Sequence, residues 1–369
     1  MKKLLFIVSV VLVVLLVNCS SGDKPETASE EVKVSFQELF RITSVDEAVN
    51  DPDREIIWPN HLDVDSKGNI FILDRPTASI KKFDSRGRFI KSFGKKGDGP
   101  GEMQSPYMVL ILDDILHVGD PNIRRIVKFD TDGNFITNVQ VSNALPVQVQ
   151  AIGKDRFIGF LMSFRQEENI PYRRFDLCLV DAQFNKLAVL SEYEGKFDPG
   201  RNDVLDRTGS YAVGKDKIYV PELSRERYKI NIFDLEGKPL GSITREYDRV
   251  PFTPEELADL NAGLESFYKK LGYALYPPIK REYKNIINDI FCDKYGRLLV
   301  ASSVKRNDAN RFDFLVDVFD KDGVFLKKVK IDGFRWYDYV KLQEQKFFFK
   351  GDRLYHIDEL NAVVTVYNY

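Results

Sequence analysis

Short apolar runs, each closed by a turn, recur along most of this chain. The clearest copy starts at His61, turns at 66–69, and resumes as an apolar strand over 70–74. A strand over 80–84 follows, then a turn at 85–87 and a last strand to Phe93. Later second strands begin at Ile115, Phe157, Ile218, Leu298 and Leu354, and third strands end at Phe129-Asp130, Val180-Asp181, Phe233-Asp234 and Phe319-Asp320. Counting from Asp84, these Asp residues lie roughly 46, 51, 53 and then 86 positions apart, and units of four short strands at such a period are what propeller blades require. The Asp-x-x-Gly steps fit: Gly supplies a positive φ and Asp bonds its own backbone, so each closes a hairpin. Asp130-Thr131-Asp132-Gly133 and Asp320-Lys321-Asp322-Gly323 resemble the start of a calcium loop, but lack the later ligands and the twelfth-position Glu that an EF-hand needs.

The pattern predicts an all-β chain: a six-bladed β-propeller with blades near 59–104, 105–144, 145–206, 207–250, 283–335 and 336–369. The sixth blade lacks an outer strand, and the strand-like stretch at 32–42 is placed to close it, joining the two ends of the chain and removing a free edge. The longer gap before the fifth blade predicts a short helical insertion between blades 4 and 5, spanning 252–278. Thr253 is its N-cap, Pro254 takes the first helical position, and Glu255 and Glu256 sit at the positive dipole end. Leu257, Leu260, Leu264, Phe267, Tyr268 and Leu271 recur at helical spacing, and Pro277-Pro278 prevents resumption.

The first residues are read as processing signals. Lys2 and Lys3 precede an apolar run of roughly 14 residues, short of the ~20 that span a bilayer but suited to a signal peptide. It ends at Cys19, and 20–31 is a polar stretch expected to be a tether. The formal net charge is −2 with the signs interspersed, and Lys2 and Lys3 fall within the leader, so no basic face is expected and nucleic acid is excluded as a partner. Beyond Cys19 only Cys178 and Cys292 remain, both in apolar surroundings and read as small buried hydrophobes.

Residues 1–19 resemble a bacterial lipoprotein signal, which implies cleavage before Cys19 and acylation of that residue. The run from Gly94 to Met103, placed after a Phe-Asp-x-x-Gly turn, looks like the link between NHL-type repeats. Together they resemble the six-bladed β-propeller lipoproteins of Bacteroidetes. The resemblance implies export and a lipid anchor in the cell envelope, at the outer membrane on its periplasmic or surface face, with the propeller at 32–369. It says little about activity, because propellers host unrelated functions.

The chemistry-bearing motifs are few. The glycine run at 94–101 lacks the Lys-Ser/Thr ending of a phosphate loop. His61, His117 and His356 are the three histidines, and none is at metal spacing. No catalytic residue, metal site or cofactor is assigned. On this register the lead-ins to the innermost strands are Asn60 and His61, Tyr107, Gln148, Ser210 and Tyr211, Asn285, and Tyr337 and Asp338. Aromatic and amide groups suit a neutral polar ligand through stacking and hydrogen bonds. The expectation is a binding or scaffold module for a glycan, peptide or envelope protein partner. The alternative is a calcium-dependent hydrolase or lyase of the gluconolactonase-like propeller type.

Overall fold

The computed structural model describes residues 32–43, 53–141, 144–153, 155–196, 210–270, 278–305, 313–335, 345–359 and 361–368. The expectations for Cys19, the tether, Tyr337 and Asp338 lie outside them. The chain is a six-bladed all-β propeller. Blade 1 is the meander Pro59–Val64, Ile70–Asp74, Ser79–Phe83, Phe89–Phe93, each strand antiparallel to the next. Blades 2, 3 and 4 repeat this order from inner strands Met108–Leu112, Val147–Ala151 and Ala212–Val213, and blades 5 and 6 from Ile287–Cys292 and Gln345–Lys350.

Period-two alternation builds the core between the blades. Because successive side chains leave a strand on opposite faces, Ile70 and Ile72 pack toward blade 6 while Phe71 and Leu73 pack toward blade 2. In blade 5, Leu298 and Val300 face blade 4, and Leu299 and Ala301 face blade 6. A strand buried on both faces has no polar side, which is why the second strands read as continuous apolar runs. Among the described residues six apolar clusters form, one at each of the six blade interfaces, including the one between blades 6 and 1.

Closure uses the N-terminal run twice. Gln37–Thr43 pairs antiparallel with Val363–Asn368 as the outer strand of blade 6, and Val32–Ser35 pairs parallel with the outer strand of blade 5. Phe36, between them, is buried and meets the Tyr367 ring edge-on with centroids 6.3 Å apart.

The repeated Asp turns share one geometry. Asp130 Oδ1 accepts the N–H of Asp132 (2.9 Å) and of Asn134 (2.8 Å), and Asp320 does the same for Asp322 and Val324. Those carboxylates are thus spent on the hairpin. Gly133 has φ +82°, and a Cβ there would lie 2.6 Å from the Phe93 ring. In blade 3, where no Gly is present, Phe184 takes the left-handed position at φ +62°, and its buried ring stacks on Phe157 at 5.1 Å.

The insertion carries a helix, Pro254–Lys270, between the strands Pro239–Arg245 and Ile287–Cys292. Its start is a capping box: Glu256 N donates to Thr253 Oγ1 (3.2 Å), and Thr253 N to Glu256 Oε2 (2.9 Å). The other oxygen of Glu256 accepts from Lys284 Nζ at 2.6 Å, with side chains only 3% and 1% exposed. Asn261 clamps Ile279 through both backbone groups, and Leu260 and Leu264 are buried. Among the described residues no helix is long and apolar enough to cross a membrane.

Candidate functional site

The links into the inner strands and the turns between second and third strands meet on one face of the ring. Arg75 N donates to Trp58 O at 3.2 Å, joining such a turn to such a link. A buried carboxylate at the end of the second strand fixes this geometry in two blades. Asp74 Oδ1 accepts the N–H of Ile57 (3.2 Å) and Trp58 (2.7 Å), while its Oδ2 accepts Thr77 Oγ1 (2.7 Å). Asp120 Oδ2 accepts the N–H of Gln104 (2.6 Å) and Ser105 (3.1 Å). Each carboxylate thereby gives two link N–H groups a partner within the fold.

Held this way, Trp58 lies at the rim, 36% exposed. Its indole N–H donates to Glu359 Oε2 at 3.0 Å, across the closure from blade 6. The guanidinium of Arg75 lies over the Trp58 ring at 5.8 Å and over the Tyr107 ring at 5.6 Å, both within cation–π range. Burial holds the Tyr107 hydroxyl above its usual range, opposed by the charge of Arg75 and reinforced by that of Glu359. Three blades therefore supply one cluster: Glu359 from blade 6, Trp58 and Arg75 from blade 1, and Tyr107 from the link into blade 2. Among the described residues the Arg75 guanidinium makes no hydrogen bond and no ion pair, although it is half-buried. It carries up to five donors in a fixed fork.

Of the residues expected at the mouth, Asn60, His61 and Tyr107 fall in this sector. Asn60 and His61 are buried, and the His61 ring meets Phe348 edge-on at 5.2 Å. The others are placed elsewhere. Gln148 is exposed at φ +51°, and its carbonyl accepts the Tyr211 hydroxyl, which also donates to Ile158 O at 3.2 Å. That bond holds the phenol in place, and burial raises its pKa beyond the ordinary range. Asn285 is buried and spends Oδ1 on Arg281 Nη1 (3.2 Å) and its carbonyl on the Ser303 hydroxyl.

Closer to the axis lies Asp289, whose carboxyl burial pushes up to about 7 against bonds from Ile290 N–H and Ser210. On the inner strand of blade 1, Asp63 Oδ2 accepts Ile111 N–H at 2.7 Å and Oδ1 accepts Lys350 Nζ at 2.6 Å. Among the described residues no three His, Cys, Asp or Glu side chains come together. His117 and His356 are both lowered to about 4, first by burial. Cys178 and Cys292 are free thiols, pushed up to about 11 and about 12 by burial.

Sequence reasoning did not single out Trp58 and Arg75. The available signal was positional: Asp74 and Asp120 each end a second strand ahead of a Pro-containing turn, and one of only two tryptophans stands beside the lead-in Asn60.

Fold and rim together define a six-bladed β-propeller with an aromatic and cationic sector at its mouth. The chain belongs to the DUF5128 family, described as a 6-bladed beta-propeller, whose profile matches residues 29–254. Among curated proteins none matches the sequence. Among solved structures, the chain is similar to a Bacteroides fragilis protein described as exported, at 11% identity and TM-score 0.50, covering 92% of this chain and 95% of that one. A DUF4221 family member from Bacteroides vulgatus matches at 12% identity and TM-score 0.45, covering 92% and 98%. The virginiamycin B lyase of Staphylococcus aureus matches at 9% identity and TM-score 0.43, covering 85% and 95%. At these identities the likeness concerns the fold alone.

Proposed function

We propose that this protein is an exported, lipid-anchored propeller of the bacterial envelope that binds a glycan at the sector formed by blades 6, 1 and 2. The observation that carries the reading is the placement of Trp58, Arg75 and Tyr107. An indole exposed at the rim, with its N–H already committed to Glu359, offers a flat apolar platform. The Arg75 donors and the Tyr107 hydroxyl stand beside it. A sugar presents an apolar ring face and polar edges, and this combination of stacking surface and directed donors matches both. A peptide anchored by an apolar side chain would call for an apolar pocket instead. Among the described residues an apolar cavity lined by Phe36, Phe291, Phe347 and Phe349 lies between blades 5 and 6.

The leader and Cys19 support the anchor. Acyl chains would hold the propeller at a bilayer through the 20–31 stretch, with each buried methylene contributing roughly 0.8 kcal/mol. Mass spectrometry of the purified mature protein tests this: a diacylglyceryl adduct on Cys19, lost in Cys19→Ala, is expected, and an unmodified N-terminus would refute it. Binding is tested by screening the full chain against glycan and peptide arrays beside Trp58→Ala and Tyr107→Ala. Glycan signals lost in both variants support the assignment, and glycan signals retained in both would move the site elsewhere.

A further inference from the structure

Arg75 differs from three other cations at blade boundaries. Lys82 reaches Thr131 O at 2.6 Å, Arg156 reaches Leu235 O at 3.1 Å, and Arg353 reaches Ser85 O at 2.6 Å. Each docks on a neighbouring blade and helps hold the ring together. Arg75 is also half-buried and also lies at a blade boundary, yet the described residues give its fork no acceptor. Its contacts are the π faces of Trp58 and Tyr107. Those faces stabilise the charge and restrict where the side chain lies, but leave the N–H groups unmatched.

A guanidinium fork matches a planar acceptor with two oxygens, and carboxylate is the simplest of these. Pre-positioning lowers the ordering cost of binding such a group. Glu359 Oε2 takes the indole N–H, and among the described residues no ion pair joins it to Arg75. Asp74, the adjoining carboxylate, is turned into the loop and saturated by Ile57, Trp58 and Thr77.

We infer that the site selects glycans that carry a carboxylate, with a uronate residue stacked at Trp58 and its carboxylate on the Arg75 fork. This rests on the glycan-binding reading above and adds a charge requirement to it.

The test is isothermal titration of the purified full chain with oligosaccharides of galacturonate, glucuronate and mannuronate, each beside its carboxyl-reduced neutral form. Controls are a triglutamate peptide and inorganic phosphate. Because the Arg75 side chain makes no hydrogen bond or ion pair among the described residues and its backbone bonds survive substitution, Arg75→Gln is expected to melt close to the parent. The expected result is at least one uronate oligosaccharide binding about tenfold or more tighter than its reduced form, the scale of a hydrogen bond to a charged group. In Arg75→Gln that difference collapses to near unity, and in Arg75→Lys, which keeps the charge but not the fork, part of it returns. Acid and reduced forms that bind alike, unaffected by Arg75→Gln but lost in Trp58→Ala, would overturn the charge requirement and leave glycan binding standing. No binding of any oligosaccharide, acidic or neutral, would overturn both. Triglutamate or phosphate binding more tightly than every uronate, and losing it in Arg75→Gln, would overturn the sugar assignment.

Discussion

Lys350 Nζ lies 2.6 Å from Asp63 Oδ1, joining the inner strands of the last and first blades. The same carboxylate accepts Ile111 N–H from blade 2 at 2.7 Å, so one side chain ties three inner strands together. Inner strands have one edge unpaired, and Asp63 supplies an acceptor where the ladder cannot.

The two partners should therefore behave differently. Lys350 is about half exposed, so Lys350→Ala should cost less than about 1 kcal/mol. Asp63→Ala strands the Ile111 donor beside the ring axis and should cost about 2–3 kcal/mol. Urea unfolding of the two variants checks this, and equal losses would contradict it.

The pair of Glu256 and Lys284 should be the most costly polar contact to break in the insertion. With both side chains buried, Glu256→Leu takes the carboxylate from a buried ammonium that keeps the Val304 carbonyl, and should cost about 3–5 kcal/mol. Adding Lys284→Met should recover much of that loss. A single variant that unfolds within about 1 kcal/mol of the parent would show that water reaches the pair.

Asp289 gives a pH dependence of defined sign. Its carboxyl titrates at about 7 when folded, well above an ordinary carboxylate, so between about pH 4 and 7 the folded state binds more protons than the unfolded one. The contribution of this group to stability is therefore lost as pH rises through that window. Asp289→Asn should flatten the fall and raise stability above pH 7. Urea midpoints measured from pH 5 to 8 would reveal it, and parallel curves for the two proteins would contradict the burial of this carboxyl.

What could be read from the sequence was what is local. The Asp turns are set by contacts within four residues, as at Asp130, so their period exposed the blades. Thr253 and Glu256 are three residues apart, and the helix start was legible for the same reason. Lys284, the second partner of Glu256, lies 28 positions on and carries no local mark. The site divides along the same line. Asn60, His61 and Tyr107 followed from the positions of the inner strands. Arg75 did not, because its place depends on a turn of one hairpin folding back onto Trp58 and on a ring from the next link. Gln148 lies within the inner strand Val147–Ala151 and Tyr211 just before Ala212–Val213, and the Tyr211 hydroxyl bonds to backbone carbonyls, a choice that only tertiary packing makes.

Trp58 is one of two tryptophans, so Trp336→Phe leaves it as the sole indole and a direct reporter of the rim. Fluorescence titration of that variant with uronate oligosaccharides is the most direct measurement. A saturable change in Trp58 emission, abolished by Arg75→Gln, is the predicted result. Emission that stays constant while calorimetry of the same sample records binding would place the ligand away from Trp58 and contradict the account.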